Sequence, residues 1–205
     1  IQFGKPAEDG TILVADYLGC QCVDWSLGVK VGEYAILNTS IYGQHEDTSQ
    51  TLAAASMPAN WQPVTHLSTT LSIAGSDYPL DDVMITGDNK LQTGRHVIRA
   101  TTPERPRPSK EGADLRAYGG TINGDFLSYA AYNRFRDGTT AALSMVMSDG
   151  AGAQLTIAGT VRFDGETPNV KGPGMLKQRL PFVFTHPSSD ASAITATLVN
   201  SDATP

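Results

Sequence analysis

Cys20 and Cys22 are the residues with the widest chemical repertoire in this chain, and they are its only cysteines. Two positions apart in an extended segment, they point to the same face, and a bridge between them would be strained. A metal site would need a second ligand pair nearby, whereas His45, His66, His96 and His186 are scattered singly. Buried or partly buried free thiols are the reading that this spacing favours. Asp81, Asp82 and Asp88 have the chemistry of a hard-cation site, but the strand-like Val83-Met-Ile85 would send the acids to different places. They are expected to be solvated turn acids. Glu46 and Asp47, beside His45, could form an acid–base pair, but with Thr48 and Ser49 after them a helix N-terminus explains the same letters more cheaply. Gly172-Pro-Gly-Met-Leu-Lys177 looks like a phosphate loop, but its proline removes an amide donor and its glycine spacing is wrong. No nucleophile elbow, Walker loop, His-Glu-x-x-His helix or dinucleotide fingerprint occurs. The sequence predicts no enzyme, cofactor or metal.

The elements around these residues are mostly strands. In Gln154 to Phe163, Leu155, Ile157, Val161 and Phe163 share one face, with Gly159 the gap in the apolar row. Ala141 to Met147 precedes it across Ser148-Asp-Gly-Ala-Gly-Ala153, a hairpin-like turn. Leu180, Phe182 and Phe184 alternate again, and Ile194 to Val199 is a last apolar run. Further strands are expected at Thr11 to Leu18, Val29 to Leu37, Leu67 to Ile73, Val83 to Thr86, His96 to Thr102 and Ala117 to Asn123. Gly19 to Gly28 reads as a connection, and His45 to Met57 as a short helix or an ordered loop. One helix stands out over about 125–137: Asp125 is its expected N-cap, Phe126, Leu127, Ala130, Ala131, Arg134 and Phe135 recur at helical spacing, and Gly138 suits the C-terminal cap. The predicted class is mainly β, one helix on a mostly antiparallel sheet system, in a single domain spanning 1–205.

Charge is unevenly spread. Residues 1–94 hold three lysines against eleven acids, whereas residues 95–116 hold six basic residues against three acids. The acidic first half argues against tight nucleic-acid binding, which depends on cations neutralising phosphates. No apolar run approaches the roughly 18 residues of a membrane helix, which predicts a soluble protein. Thr102 to Gly112 contains three prolines and alternating charges, so it is expected to be an extended, exposed loop. Its Arg105-Pro-Arg-Pro-Ser-Lys110 is either a solvated connection or a docking arm for an acidic neighbouring surface.

Taken in order, Gly120-Thr-Ile-Asn-Gly-Asp-Phe126, the helix through Tyr132-Asn-Arg-Phe-Arg-Asp-Gly138, Leu155 to Gly165, Pro168-Asn-Val-Lys-Gly-Pro-Gly174 and Leu180-Pro-Phe-Val-Phe184 resemble the tail tube proteins of long-tailed bacteriophages. The likeness covers residues 95 to 200 in diffuse patterns. It implies an antiparallel β-sandwich or small β-barrel with one flanking helix and long inter-subunit loops. It also implies hexameric rings that stack into a hollow tube for double-stranded DNA, a place in the virion tail after assembly in the host cytoplasm, and tape measure, tail terminator and distal tail proteins as partners. By the same analogy the loop near 102–114, the loop around Gly43 to Pro58 and extended terminal arms bridge subunits or rings. Glu104, Arg105, Arg107 and Lys110 are then expected at a protein interface, because a basic loop in the lumen would hold DNA back. A capsid decoration or other structural module, and a carbohydrate-binding β-sandwich, share the β-rich build. Trp25 and Trp61 are too far apart in sequence to suggest a sugar platform and read better as core or interface anchors.

Overall fold

In a computed structural model of the chain, the described residues are 1–54, 62–93, 116–126, 129–165, 176–186 and 192–200. Their strands are β1 (Gln2–Pro6), β2 (Ile12–Leu18), β3 (Gln21–Lys30), β4 (Ile36–Tyr42), β5 (His45–Asp47), β6 (Thr69–Ile73), β7 (Ser76–Asp77), β8 (Asp82–Asp88), β9 (Ala117–Asp125), β10 (Ala141–Ser148), β11 (Gln154–Phe163), β12 (Lys177–Phe184) and β13 (Ile194–Val199). The single described helix is α1 (Ala130–Asp137), and a 3-10 turn covers His66–Ser68. The protein is mainly β, as its alternation predicts. The longer sheet is antiparallel, curls into half a barrel and runs β4-β3-β8-β9-β12-β11-β10-β6-β7, with β13 also on β11.

By compactness the chain divides into two units. One comprises Ser26–Asn38, Asn60–Gly87 and Ala117–Pro205. It holds all the fully buried hydrophobic side chains of the described residues, because its strands alternate cleanly. In β10 the buried row is Ala141, Leu143, Met145 and Met147, and in β12 Leu180, Phe182 and Phe184 are buried. Val83 and Ile85 of β8 and Ile157, Val161 and Phe163 of β11 join them. Each of these burials except that of Ala141 contributes about 1.5–3 kcal/mol. The hairpin runs in register from Ala141↔Val161 to Ser148↔Gln154. At its tip Asp149 Oδ1 accepts from the Ala151 and Ala153 amides at 2.7 and 2.9 Å. Gly159, the gap in the apolar row, is filled from β12: a Cβ there would stand 2.7 Å from Phe184 Cδ1 and 2.6 Å from Ala193 O.

The other unit comprises Ile1–Trp25, Thr39–Ala59 and Asp88–Arg116. Its described part includes a three-stranded antiparallel sheet, β1-β2-β5, with Phe3 opposite Ala15 and Tyr17 opposite Glu46. None of its described hydrophobic side chains is fully buried. A small sheet without its own core is marginal by itself.

Several expectations need correction. Gln21–Lys30 is a strand and not a connection, and the expected Val29–Leu37 strand is interrupted after Lys30. Gly32 has φ +83°, and Lys30 and Glu33 pair at 2.9 Å across the turn before β4 begins at Ile36. Leu67 is 84% exposed because the 3-10 turn takes it off the face of Leu71 and Ile73. No helix starts at Asp125, which instead ends β9, and the Phe126 amide still donates to Leu176 O at 2.7 Å. The helix begins at Ala130 and stops where expected: Gly138 is left-handed and its amide donates to the Arg134 and Phe135 carbonyls. The expected strand His96–Thr102 lies outside the described residues, as does the loop carrying Glu104, Arg105, Arg107 and Lys110.

Candidate assembly surface

The residues with chemical potential are dispersed or already engaged. Cys20 and Cys22 are free and half-buried, each thiol donating to a backbone carbonyl: Cys20 to Tyr17 O at 3.1 Å and Cys22 to Asp24 O at 3.3 Å. Asp81 accepts from Lys177 Nζ at 2.7 Å, Asp82 from Asn123 Nδ2 at 2.7 Å, and Asp88 from the Lys90 amide at 2.7 Å. The three acids therefore serve three different partners and form no cation site, but Asp82 and Asp88 are the ends of β8 and half-buried, so the description as solvated turn acids does not fit them. Lys177 closes the apparent phosphate loop, but its exposed ammonium is paired within the chain, 2.7 Å from Asp125 Oδ1 as well as from Asp81. Hydrogen bonds from it to Asp125 and Asp81 raise its pKa. Gly172 to Met175 lie outside the described residues.

His45, Glu46 and Asp47 form β5, so neither a helix start nor a loop describes them. Asp47 caps the turn that follows. Its Oδ1 accepts from Ser49 Oγ at 2.7 Å and the Ser49 amide at 2.9 Å, and its Oδ2 accepts from Gln50 Nε2 at 2.7 Å. Those hydrogen bonds, the Ser49 hydroxyl first, hold its pKa down at about 2. Among the described residues no group of three His, Cys, Asp or Glu side chains could hold a metal ion.

Apolar surface is plentiful instead. On the β1-β2-β5 sheet an open groove of about 1040 Å³ is lined by Phe3, Leu13, Tyr17, Cys20 and Tyr42, with Lys5 and Glu46 among its charged groups. The Phe3 and Tyr17 rings meet edge-on at 5.8 Å. On the larger sheet, Leu37 of β4 is 62% exposed and Leu198 of β13 is 65% exposed. Strand β4 is exposed at every position from Ile36 to Ile41. Sequence reading missed this surface because β1 and β5 are short and β4 lacks alternation. The uncharged run Ile36-Leu-Asn-Thr-Ser-Ile-Tyr42 was the available signal. A second apolar feature is the aromatic row Phe126, Tyr129, Tyr132 and Phe135, which leads into α1 and continues along it with successive rings 5.2 to 6.3 Å apart.

Open antiparallel edges and exposed aliphatic strands define a structural β-protein whose surfaces suit contact with other proteins. The family model for phage tail tube proteins matches residues 2–184, and the chain belongs to that family. No curated protein matches the chain. The family is one of structural proteins of the phage tail, which assemble with themselves and with other tail components. Among the described residues no helix is long and apolar enough to cross a membrane.

Proposed function

We propose that this chain is the repeating subunit of the tail tube: six copies join into a ring, rings stack into a hollow tube, and phage DNA leaves through the bore. The observation that carries this reading is the family match across residues 2–184, which runs through both compact units and favours treating 1–205 as one tube domain. The exposed strands support it further, because a closed ring satisfies edges that would otherwise invite aggregation. The net charge of −6, concentrated in residues 1–94, suits a conduit that DNA must cross without binding.

In this reading Glu104, Arg105, Arg107 and Lys110 face a protein interface between rings, and the loop near 102–114 and the terminal arms bridge subunits. Tape measure, tail terminator and distal tail proteins are the remaining partners, with assembly in the host cytoplasm. Negative-stain electron microscopy of the purified protein over a concentration series, with sedimentation of the same samples, tests the proposal. Rings or tubes of uniform bore are the expected result. Monomers alone at the highest concentration, even with tail initiation components added, would overturn it.

A further inference from the structure

The described strands leave five sheet edges open, and they differ in how they are defended. In the small sheet, β1 carries Lys5 and Pro6, while β5 is three residues long and bears Glu46 and Asp47. At one end of the long sheet, β7 is only the pair Ser76–Asp77. Charge, proline and shortness are the ordinary means of discouraging edge-to-edge pairing. The remaining two edges have none of these. Strand β4, Ile36–Tyr42, has seven residues without a charge or a proline; its one described strand neighbour is β3, and only the residues just before it are held from elsewhere, the Ala35 amide donating to Val64 O at 2.9 Å. Strand β13, Ile194–Val199, has six residues of the same character and pairs only with β11.

Both strands are also exposed on both faces. Ile36 and Leu37 are consecutive, so they point to opposite sides of the sheet, yet they are 51% and 62% exposed. In β13 the same holds for Leu198 and Val199, at 65% and 54%. A solvated edge with aliphatic side chains on both faces is an aggregation hazard in a protein that stays single, and an asset in one that must be joined.

We infer that β4 of one copy pairs with β13 of the next copy, the two undefended edges forming the lateral joint between subunits. The occupant of each edge is thus a second copy of this chain. The two strands match in length, both lack charge, and each supplies the aliphatic surface that the other leaves uncovered. Pairing unlike edges makes the contact heterologous, the kind that closes into a ring where the rotation between copies allows it, whereas β4 on β4 would stop at a dimer. The inference rests on the proposed ring assembly and says which surfaces build it. Because neither strand carries a charge, this joint is expected to be insensitive to salt.

The test places charges on the two edges: Thr39→Lys in β4 and Thr197→Glu in β13, separately and together. Both positions are exposed. Each single variant buries one unpaired charge at the joint, and loss of rings in sedimentation and negative stain is expected. With the two strands paired centre to centre, the double variant brings Lys and Glu together at each joint and is expected to regain rings, now in a salt-dependent way. Regained assembly also demonstrates that both substitutions are compatible with folding. Rings formed by wild type and by both single variants alike would overturn the pairing while leaving the ring reading intact. Rescue on mixing Thr39→Lys with Thr39→Glu, with no effect of Thr197→Glu, would replace it with a symmetric β4 contact. A wild-type protein that forms no rings would overturn the ring reading and this pairing together.

Discussion

A methyl group on Gly120 would have no room. A Cβ there would collide with Met84 O and approach Phe182 Cζ to 2.8 Å and Ile85 Cα to 3.1 Å, so a bare backbone sets the spacing of β8 and β9. Gly120→Ala is expected to cost about 1–3 kcal/mol through forced backbone shifts. A urea midpoint equal to that of wild type would show that the strands can separate freely at this point. Asp47 offers a test by pH. Its folded pKa of about 2 lies below the usual 3.8, so the stability it lends its turn is fully present above about pH 4 and disappears as pH falls through 2. Exchange protection of the Ser49 amide is expected to fade over that window in wild type and to be weak at every pH in Asp47→Ala. Constant wild-type protection down to pH 2 would contradict the assignment. In the sequence Asp47 is visible as a capping residue, but what it caps is not, since the same letters start helices and close turns. Lys177 is hidden for a different reason. Its carboxylate partner Asp81 is 96 residues away.

At the scale of elements, the hairpin of β10 and β11 is the most legible part of the chain, because its register follows from local alternation and a turn rich in glycine. Gly159 could be read as a gap in the apolar row, but the Phe184 ring that fills it comes from another strand. Asp125 misleads for the same reason: an acid before Phe126 satisfies the local rule for a helix start, while pairing across to β12 keeps it in a strand. Strands β4 and β5 escape detection because neither alternates, so periodicity has nothing to register. The β6–β7 hairpin holds a mismatch between residue and conformation. Its two turn residues, Ala74 and Gly75, have φ of 53° and 78°, the geometry of a type I′ turn, where Asn-Gly is preferred. Ala74→Asn is expected to raise stability by about 0.5–1 kcal/mol by relieving the left-handed strain. For a chain of this size that corresponds to a melting temperature up by roughly 1–4 °C. A lowered melting temperature would mean that Ala74 packs in a way its exposure conceals.

At the scale of the whole molecule, the proposed assembly divides its work between charge and hydrophobicity. The edges β4 and β13 are neutral, while residues 95–116 gather six basic residues in an acidic chain. Stacking of rings is therefore expected to depend on ionic strength, unlike their closure. Arg105→Glu with Arg107→Glu should shorten tubes at low salt while leaving single rings and the circular dichroism spectrum unchanged; tubes of wild-type length would exclude a role for these arginines in stacking. Fold class was legible in the sequence because alternation is local, and tube building entered through family resemblance. Which edges are open was not legible, since an edge is defined by the neighbours a strand lacks. The order of the strands in the long sheet has a consequence for synthesis. Strand β6 must wait for β10, some seventy residues later, and β13 is the last described strand to emerge. In the proposed pairing, a nascent chain therefore has only one of its two joining edges until then, and could cap an open arc of subunits but neither extend nor close it.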